Sequence, residues 1–524
     1  IAKDYDDRPY TSNPFFYASP GHLRATAHLY GVATVPLAQA RVLELGCAGG
    51  GNLLPFAVAY PQAQVVGVDL SPVQVAQGQR VVQELGIGNL QLHAMSLTDI
   101  GPDFGQFDYI IAHGVFSWVP PEVRQAMLRV CRENLAPQGV AYISYNTYPG
   151  WKAGDIVRDA MLLHSHGAQT LQERLAKAKA MLTLLSDGLA ASNPLAPSLR
   201  GAVQQLRRFS DYYIAHEQLE TFNSPCYFVE FADAAQQAGL AYVGDAEAHT
   251  ELPATYGNNV QLNQSLITLG QPKVMRQQYL DFAVGRNFRK SLLVHAERAE
   301  AIAAAPDLQR LEDVRFAGHF TKAERAATTP AEVTPYRTIR GRAFQARDAM
   351  AIGVLDALSQ AWPGSLSMDE AAQRVAPAAG RDAAAHRAAV GKAVQTLFRL
   401  GLLYVSLEAS PYDVAPAANP TLVPGFAYLT EQMQQADFGV SRFNLWHDGA
   451  NLRFKEAEAL VLRHLDGTSS VAQLRTLLRD ALQQGKVPGA DGKMLTGQRN
   501  LDATAQKMLN RLLELLSRHG LLMR

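Results

Sequence analysis

A glycine-rich turn between a short apolar run and a helical segment constrains the fold of this chain more than any other feature. Residues 42–45 (VLEL) suit a buried parallel strand, GCAGGGN follows at residues 46–52, and the helix-like LLPFAVAY comes next. Such a turn lets the backbone approach a ligand closely and directs the amides of a helix N-terminus toward it. The segment therefore predicts a Rossmann-like α/β fold with a ligand at this turn.

An acidic residue at the end of the next strand strengthens this prediction. Residues 65–68 (VVGV) read as a second strand and are followed by Asp69, twenty positions beyond Gly49. At that place an acid can accept hydrogen bonds from both hydroxyls of an adenosine ribose. A glycine-rich turn alone is a weak signal, and an unliganded turn is the alternative. We therefore expect a nucleoside-containing ligand held largely by residues 42–52 and 65–71.

Length and charge limit the remaining classes. A chain of 524 residues should divide into three or four domains. Its 48 basic residues balance 48 acidic ones, so we expect no nucleic-acid partner. No apolar run approaches the ~20 residues of a membrane span, and the opening IAKDYDDRPY lacks a secretory core. The three cysteines are scattered and the fourteen histidines show no paired ligand spacing, so we expect no metal site. A reducing cytoplasm is the simplest location.

The C-terminal half contains a weak internal repeat. LFRLGLL at residues 397–403 echoes LSRHGLL at residues 516–522, and each follows helical segments in the order of a winged helix. The helix in the position of a recognition helix in the first module carries only three basic residues, Arg387, Lys392 and Arg399. These are too few to bind the phosphates of DNA. We therefore expect protein-interaction modules rather than DNA-binding ones.

The glycine-rich run resembles the E-x-G-x-G-x-G loop of class I S-adenosylmethionine-dependent methyltransferases. Glu44 precedes the loop, Ala48 stands at the middle glycine, and VDLS at residues 68–71 also matches the family, whereas a dinucleotide fold would carry G-x-G-x-x-G. The resemblance implies S-adenosylmethionine as cofactor, with Glu44 indirectly orienting its amino-acid end. The implied cofactor-binding residues are Glu44, Gly46, Cys47, Ala48, Gly49, Asn52, Asp69, Leu70, Ser96, Leu97 and His113.

One departure concerns the adenine. Families of this kind often place an acid after the third strand, whereas the aligned residue here is Ser96. Ser96, Leu97 and backbone groups are then expected at the adenine, with Asp99 as the alternative.

The resemblance also places the later strands. Residues 107–113 look like the family's fourth strand, and residues 140–145 like its fifth. Residues 241–243 and 289–295 then read as the sixth strand and a last, antiparallel one. Helical patterns at 153–167, 170–191 and 196–220 fall between the fifth and sixth strands. Residues 152–222 are therefore predicted to be an insertion that caps the active site or forms a dimer.

Longer segments resemble one bacterial group. YDDRPYTSNPFFYASPGHL, AHGVFSWVP, ISYNTYPGW and QQYLDFAVGRNFRKSLLVH resemble methyltransferases that carry a methyltransferase-regulatory domain, over residues 4–300. This group includes the rickettsial protein-lysine methyltransferases. Residues 18–20 (ASP) depart from the family's T-H-P-like segment, which weakens any role carried over to that stretch. Members of the group differ in substrate, so the resemblance implies lysine methylation only for the subgroup.

Polar and aromatic residues after the fifth strand are the candidate acceptor site. Carbonyl and hydroxyl groups there can guide a lysine amine while aromatic walls desolvate it. The predicted catalytic residues are Tyr148, Asn146, Tyr145 and His113, and the predicted substrate-binding residues are Tyr10, Trp118 and Trp151. The alternatives are that residues 148–151 form a packed turn and that His113 is a hydrogen-bonded strand-end histidine rather than a base.

The predicted fold class is a Rossmann-like class I methyltransferase sheet with an inserted helical segment and a mostly helical C-terminal region of winged-helix-like modules. The predicted domains are 1–35 (lid), 36–151 (cofactor core), 152–222 (inserted helices), 223–300 (regulatory region closing the sheet), 301–340 (linker), 341–424 and 425–524 (winged-helix-like modules). This division predicts that deleting residues 341–524 leaves a folded cofactor binder.

The favoured function is methylation of protein lysine side chains, with a homodimer through the inserted helices. A small-molecule N- or O-methyltransferase whose tail builds the oligomer is the competitor, and a non-enzymatic cofactor sensor is the third possibility.

Overall fold

A seven-stranded mixed sheet with the order β3-β2-β1-β4-β5-β7-β6 organises the first 300 residues. The computed structural model describes residues 11–211, 214–220, 222–325, 330–377, 382–414, 418–433, 439–496 and 501–523. The strands are β1 (Arg41–Leu45), β2 (Gln64–Asp69), β3 (Leu90–Ala94), β4 (Phe107–Ala112), β5 (Leu135–Asn146), β6 (Leu240–Asp245) and β7 (Phe288–His295). β1 to β5 run parallel and β7 is antiparallel to both neighbours, which confirms the predicted class I methyltransferase sheet.

Helices cover both faces of this sheet and build the C-terminal half. They are α1 (Pro20–Leu29), α2 (Leu54–Ala59), α3 (Pro72–Glu84), α4 (Pro121–Glu133), α5 (Lys152–Ser165), α6 (Leu171–Asp187), α7 (Ala196–Leu206), α8 (Phe228–Gln237), α9 (Asn258–Ile267), α10 (Lys273–Val284), α11 (Ala349–Ala361), α12 (Met368–Arg374), α13 (Ala383–Arg399), α14 (Phe426–Gln432), α15 (Glu456–Leu462), α16 (Val471–Gln483) and α17 (Leu501–Arg518). No helix among the described residues is long and apolar enough to cross a membrane.

Strand alternation divides the apolar residues between two cores. Leu43, Ile110 and Ile143 pack on one face of the sheet, with α4 and α8. Val42 and Tyr142 belong to the other face, whose core continues through α1 into both C-terminal modules. The catalytic sheet and the C-terminal half therefore share one hydrophobic core.

The inserted helices α5, α6 and α7 have a hydrophobic core of their own, which includes Val157, Leu182 and Val203. The chain leaves the sheet after β5 and returns beside the same point, because Thr147 pairs with Cys226. The three predicted helices are present, although the last ends at Leu206 rather than residue 220.

Two helical modules follow the sheet, as predicted. In the first, β8 (Arg315–Ala317) pairs antiparallel with β12 (Tyr404–Ser406) beside α11 to α13. The second contains α15 to α17 and a bridge between Leu422 and Leu522.

The predicted linker at residues 301–340 is wrong. This stretch contributes β8 to the first module and forms β9 (Phe320–Lys322) and β10 (Thr334–Thr338), which join β11 (Ala343–Ala346) in a three-stranded sheet. Phe316 and Tyr336 are fully buried there. Strands of three to five residues are too short to show a clear alternating pattern in the sequence.

The predicted lid at residues 1–35 is also corrected in part. Residues 1–10 lie outside the described part of the chain. Residues 20–29 form α1, whose Leu23, Ala27 and Leu29 are buried in the shared core, so this helix cannot act as a mobile cover.

Candidate active site

The glycine-rich loop after β1 folds back onto the end of β2. The amides of Gly46 and Cys47 both donate to the carbonyl of Val68, at 2.8 and 3.0 Å. Gly46 and Gly50 have φ angles of 76° and 75°, in the left-handed region that favours glycine. A Cβ on Gly46 would lie 2.5 Å from Val115, so the loop also packs tightly against the segment after β4.

Asp69 is oriented by this loop. Its Oδ2 accepts a hydrogen bond from the Ala48 amide at 2.7 Å, and its Oδ1 accepts one from the Ser71 amide at 2.9 Å. These two bonds fix the direction of the carboxylate. The side chain thus stands at the carboxyl end of β2, where the sequence predicts the ribose contact.

Ala48 occupies a backbone conformation that suits glycine, with φ of 49°. The left-handed region costs an L-residue about 1–2 kcal/mol, and the extra freedom of unfolded glycine offsets about 0.4–1 kcal/mol of that. We therefore expect Ala48→Gly to raise the free energy of unfolding by up to about 1 kcal/mol in urea titrations. Ala40→Gly is the matched control. Ala40 has φ of −65°, which is not strained, so this substitution should lower the free energy of unfolding. A clear loss of stability in Ala48→Gly would contradict the strain argument.

Glu44 is buried at the end of β1. Its Oε1 accepts a hydrogen bond from Asn52 Nδ2 at 2.8 Å, whereas its Oε2 is buried without a hydrogen-bond partner among the described residues. Burial, with a smaller contribution from Asp69, raises the pKa of the Glu44 carboxyl to about 8. A buried carboxylate with an unsatisfied oxygen is suited to a cationic ligand group.

These features fit the cofactor that the sequence resemblance implies. S-adenosylmethionine carries an ammonium on its amino-acid end, which matches the buried Oε2 of Glu44, and a ribose, which matches Asp69. Leu70, beside Asp69, is an apolar side chain that is 43% exposed and offers a surface to a planar base. The loop can therefore hold the nucleoside and the amino-acid end at opposite sides of one turn.

The other predicted cofactor residues have more limited roles. The Cys47 side chain is buried against β2, where a Cβ on Gly67 would lie 2.7 Å from its Sγ, and Sγ also lies 3.5 Å from the Ala48 carbonyl oxygen. Ser96 Oγ lies 2.7 Å from Thr98 Oγ1, and Leu97 is buried. Ser96 and the alternative Asp99 belong to one short turn after β3.

His113 lies at the end of β4 inside a cage of aromatic rings. Its Nδ1 is 2.8 Å from the Tyr142 hydroxyl, and its ring centroid is 3.8 Å from that of Phe15. Burial and the positive charge of Lys290 lower the pKa of His113 to about 3. The hydrogen bond to Tyr142 and the lowered pKa favour the alternative of a hydrogen-bonded strand-end histidine over that of a base.

Strand alternation also corrects Tyr145. The ring is fully buried, stacks on Phe231 at 4.1 Å between centroids, and lies in the core on the other face of the sheet from Tyr142. Asn146 is one residue further along β5, and its Nδ2 donates to Asn223 Oδ1 at 3.1 Å. Of these two candidates, Asn146 lies at the end of the strand and on the opposite side from Tyr145, although it too is buried.

Tyr148 and Tyr227 form an aromatic pair just beyond β5, with ring centroids 5.3 Å apart. The Lys152 ammonium lies 3.6 Å from the centre of the Tyr148 ring and 5.6 Å from that of Tyr227. The Tyr148 hydroxyl donates to Asp155 Oδ2 at 2.7 Å. This pair therefore already binds a primary ammonium through cation–π attraction.

The predicted substrate-binding residues are only partly brought together. Trp151 is half-buried at the start of α5, and its Nε1 has no hydrogen-bond partner in the described part of the chain. Trp118 is half-buried in a short turn after β4. Tyr10 lies outside the described residues.

Three residues at the loop escaped the sequence reasoning. Ser12 Oγ accepts from the Gly51 amide at 2.7 Å, the Phe15 amide donates to Asn52 Oδ1 at 2.9 Å, and His447 Nε2 lies 3.0 Å from the same oxygen. His447 is 395 positions from Asn52, so no local pattern could connect them.

Three segments of the chain match described families. Residues 42–139 match "Methyltransferase domain", residues 210–295 match "Predicted methyltransferase regulatory domain", and residues 428–521 match "PKMT, C-terminal winged helix domain".

Relatives occur in Rickettsia prowazekii. The uncharacterized protein RP789 is 41% identical over 292 residues, which cover 56% of this chain and 52% of that protein. The chain thus matches about half the length of this relative. The uncharacterized protein RP028 is 39% identical over 234 residues, which cover 44% of this chain and 94% of that protein.

A solved structure matches along the whole chain. PKMT2 from Rickettsia typhi in complex with AdoHcy superposes with a TM-score of 0.84 at 26% identity, covering 98% of this chain and 100% of that chain. Because a methyltransferase domain, a regulatory domain and this sheet order occur together, and RP028 is matched over nearly its full length, the chain belongs to the bacterial class I S-adenosylmethionine-dependent methyltransferases that carry a methyltransferase-regulatory domain.

Proposed function

We propose that this chain transfers the methyl group of S-adenosylmethionine to lysine side chains of proteins. The observation that carries the proposal is the similarity to PKMT2 over 98% of the chain, which includes the C-terminal winged helix as well as the sheet. A small substrate does not by itself require protein-interaction modules, so the match of residues 428–521 to the PKMT winged helix favours a protein substrate.

When bound, S-adenosylmethionine supplies a methyl group activated by its sulfonium for in-line displacement. Asp69 would hold the ribose, and Glu44 would face the cationic amino group. The ring of Phe15, in contact with His113 at 3.8 Å between centroids, would exclude water from the end of β4.

The acceptor amine must reach this place without its proton. A lysine has a usual pKa of about 10.4, and its ammonium has no lone pair for the displacement. Burial among apolar groups lowers that pKa, so an aromatic entrance favours the reactive form. Tyr148 and Tyr227 would receive the incoming ammonium, and Asn146 would orient the amine by hydrogen bonding. These acceptor assignments are proposals that follow from position and chemistry.

The inserted helices are proposed to form a homodimer. They expose large apolar side chains, including Leu163 at 78%, Leu184 at 53% and Leu195 at 50%. Single exposed apolar residues are ordinary, but several on one helical segment are typical of interfaces. Light scattering of the purified protein measures its oligomeric state directly.

The charge of the chain is balanced, so we propose that its partner is a protein rather than a nucleic acid. We propose the cytoplasm as its location.

The test of the proposed function is transfer of labelled methyl groups to separate pools of protein, DNA, RNA and metabolites. We expect the label in protein, on lysine by mass spectrometry, at a rate that rises with pH above neutrality unless the pocket already lowers the amine pKa. Asp69→Ala should reduce cofactor affinity by about one to two decades, because a charged hydrogen-bond partner contributes roughly 1.5–3 kcal/mol.

Two outcomes separate the parts of this proposal. Label only in metabolites or nucleic acid would refute the lysine assignment while leaving the methyltransferase in place. Unchanged cofactor affinity in a folded Asp69→Ala protein, measured by calorimetry, would refute the placement of the ribose.

A further inference from the structure

A tight turn in the C-terminal module reaches the cofactor loop. Phe443 pairs with Gly449, and Asn444 Oδ1 accepts hydrogen bonds from the amides of Trp446 and Asp448, at 2.9 and 3.0 Å. His447 stands inside this turn with φ of 56°, a left-handed conformation that histidine tolerates better than most residues. Its side chain is 9% exposed.

The turn is anchored from its outer side as well. Asp448 Oδ2 accepts hydrogen bonds from Arg340 Nε at 2.6 Å and from the Tyr404 hydroxyl at 2.9 Å. The position of His447 is therefore determined by the fold of both C-terminal modules, since Tyr404 belongs to the first and Asn444 to the second.

The hydrogen-bond roles at Asn52 can be assigned from one bond. The Phe15 backbone amide can only donate, so the atom of Asn52 that it contacts at 2.9 Å is the carbonyl oxygen Oδ1. His447 Nε2, 3.0 Å from that oxygen, must then carry a proton and donate as well. Asn52 Nδ2 is directed by these two bonds to Glu44 Oε1, at 2.8 Å.

A second contact joins the same module to the loop. Ser12 accepts the Gly51 amide on its Oγ and pairs through its backbone with Val440. A Cβ on Gly51 would lie 2.1 Å from the Ser12 carbonyl oxygen, and one on Gly49 would lie 3.0 Å from Val440. Residues 11–15 are thus held between the loop and residues 439–449.

We propose that residues 439–449 are part of the cofactor site, with His447 as a positioning residue that holds Asn52 and, through it, Glu44 in the orientation that receives the cofactor. This inference rests on the proposed function, because it assigns a role within the same cofactor site. Its action is indirect, since His447 contacts Asn52 and not Glu44.

The test is calorimetric binding of AdoHcy to the full chain and two variants. His447→Asn tolerates the left-handed backbone but is too short to reach Asn52, and we expect about tenfold weaker binding from the lost hydrogen bond to a buried acceptor. His447→Gln places an amide nitrogen near the position of Nε2, and we expect it to restore most of the affinity. His464→Asn is the matched control. Among the described contacts the His464 side chain bonds only to the nearby Leu460 carbonyl, so this variant should bind AdoHcy like the unaltered protein.

Rescue by glutamine separates positioning from general stability, because Gln is less tolerant of the backbone than Asn. The proposal would be overturned if His447→Asn bound AdoHcy as tightly as the unaltered protein does. It would also be overturned if His447→Asn and His447→Gln lost the same affinity.

Hydrogen exchange of the unaltered chain is a second measurement that requires no variant. AdoHcy should slow exchange at residues 439–449 together with residues 46–52, and protection of the loop alone would also overturn it. If the unaltered protein does not bind AdoHcy, the proposed function itself fails.

Discussion

Deletion of residues 341–524 is expected to leave a fragment without a cooperative fold, in contrast to the folded cofactor binder that the sequence alone predicts. The shared core joins α1 and the sheet to residues of both C-terminal modules, so the deletion exposes buried side chains such as Phe316 and Leu23. Each such side chain contributes about 1.5–3 kcal/mol when buried, whereas a whole domain is stable by only about 5–15 kcal/mol. The deletion also removes β12, the partner of β8, and Glu408, the partner of Arg24.

Circular dichroism melting and AdoHcy binding of fragment 1–340 measure this prediction. The matched control replaces residues 152–222 with a short flexible linker. That segment has its own hydrophobic core, and its ends meet at the bridge between Thr147 and Cys226. We expect the control to remain folded. A fragment 1–340 that melts cooperatively and binds AdoHcy would show that the shared core is dispensable.

Glu44 is expected to make the stability of the cofactor-free protein fall as the pH rises. The pKa of this buried carboxyl is raised from 4.5 to about 8, so the folded protein keeps a proton that the unfolded chain releases between these values. Stability therefore declines across this window and levels off above pH 8. At about 1.36 kcal/mol per pKa unit, the decline amounts to roughly 4–5 kcal/mol.

Urea unfolding of the cofactor-free protein from pH 5 to pH 8.5, with Glu44→Gln as reference, isolates this effect from other titrating groups. The difference between the two proteins should change by several kcal/mol in the stated direction. AdoHcy, whose amino group is cationic in this range, should bind the unaltered protein more tightly as pH rises toward 8, and Glu44→Gln should lack that dependence. Parallel stability curves for the two proteins would show that Glu44 is already ionised in the fold.

The features that the sequence determined are local. The strand, turn and helix around residues 42–59 are contiguous, so their spacing alone predicts the loop, and Asp69 follows from the end of the next strand. The later strand β6 was predictable because a helix and then a glycine precede its apolar run.

Other features depended on tertiary structure because they arise from burial and from contacts between distant residues. Tyr145 and Asn146 are adjacent in sequence, yet strand alternation sends Tyr145 into the core and leaves Asn146 at the strand end. The pKa of His113 is lowered by burial among aromatic rings and by Lys290, neighbours that the sequence around residue 113 does not specify. His447 meets Asn52 only because a core shared by the sheet and the C-terminal modules brings together residues 395 positions apart, and no pattern within either segment carries that information.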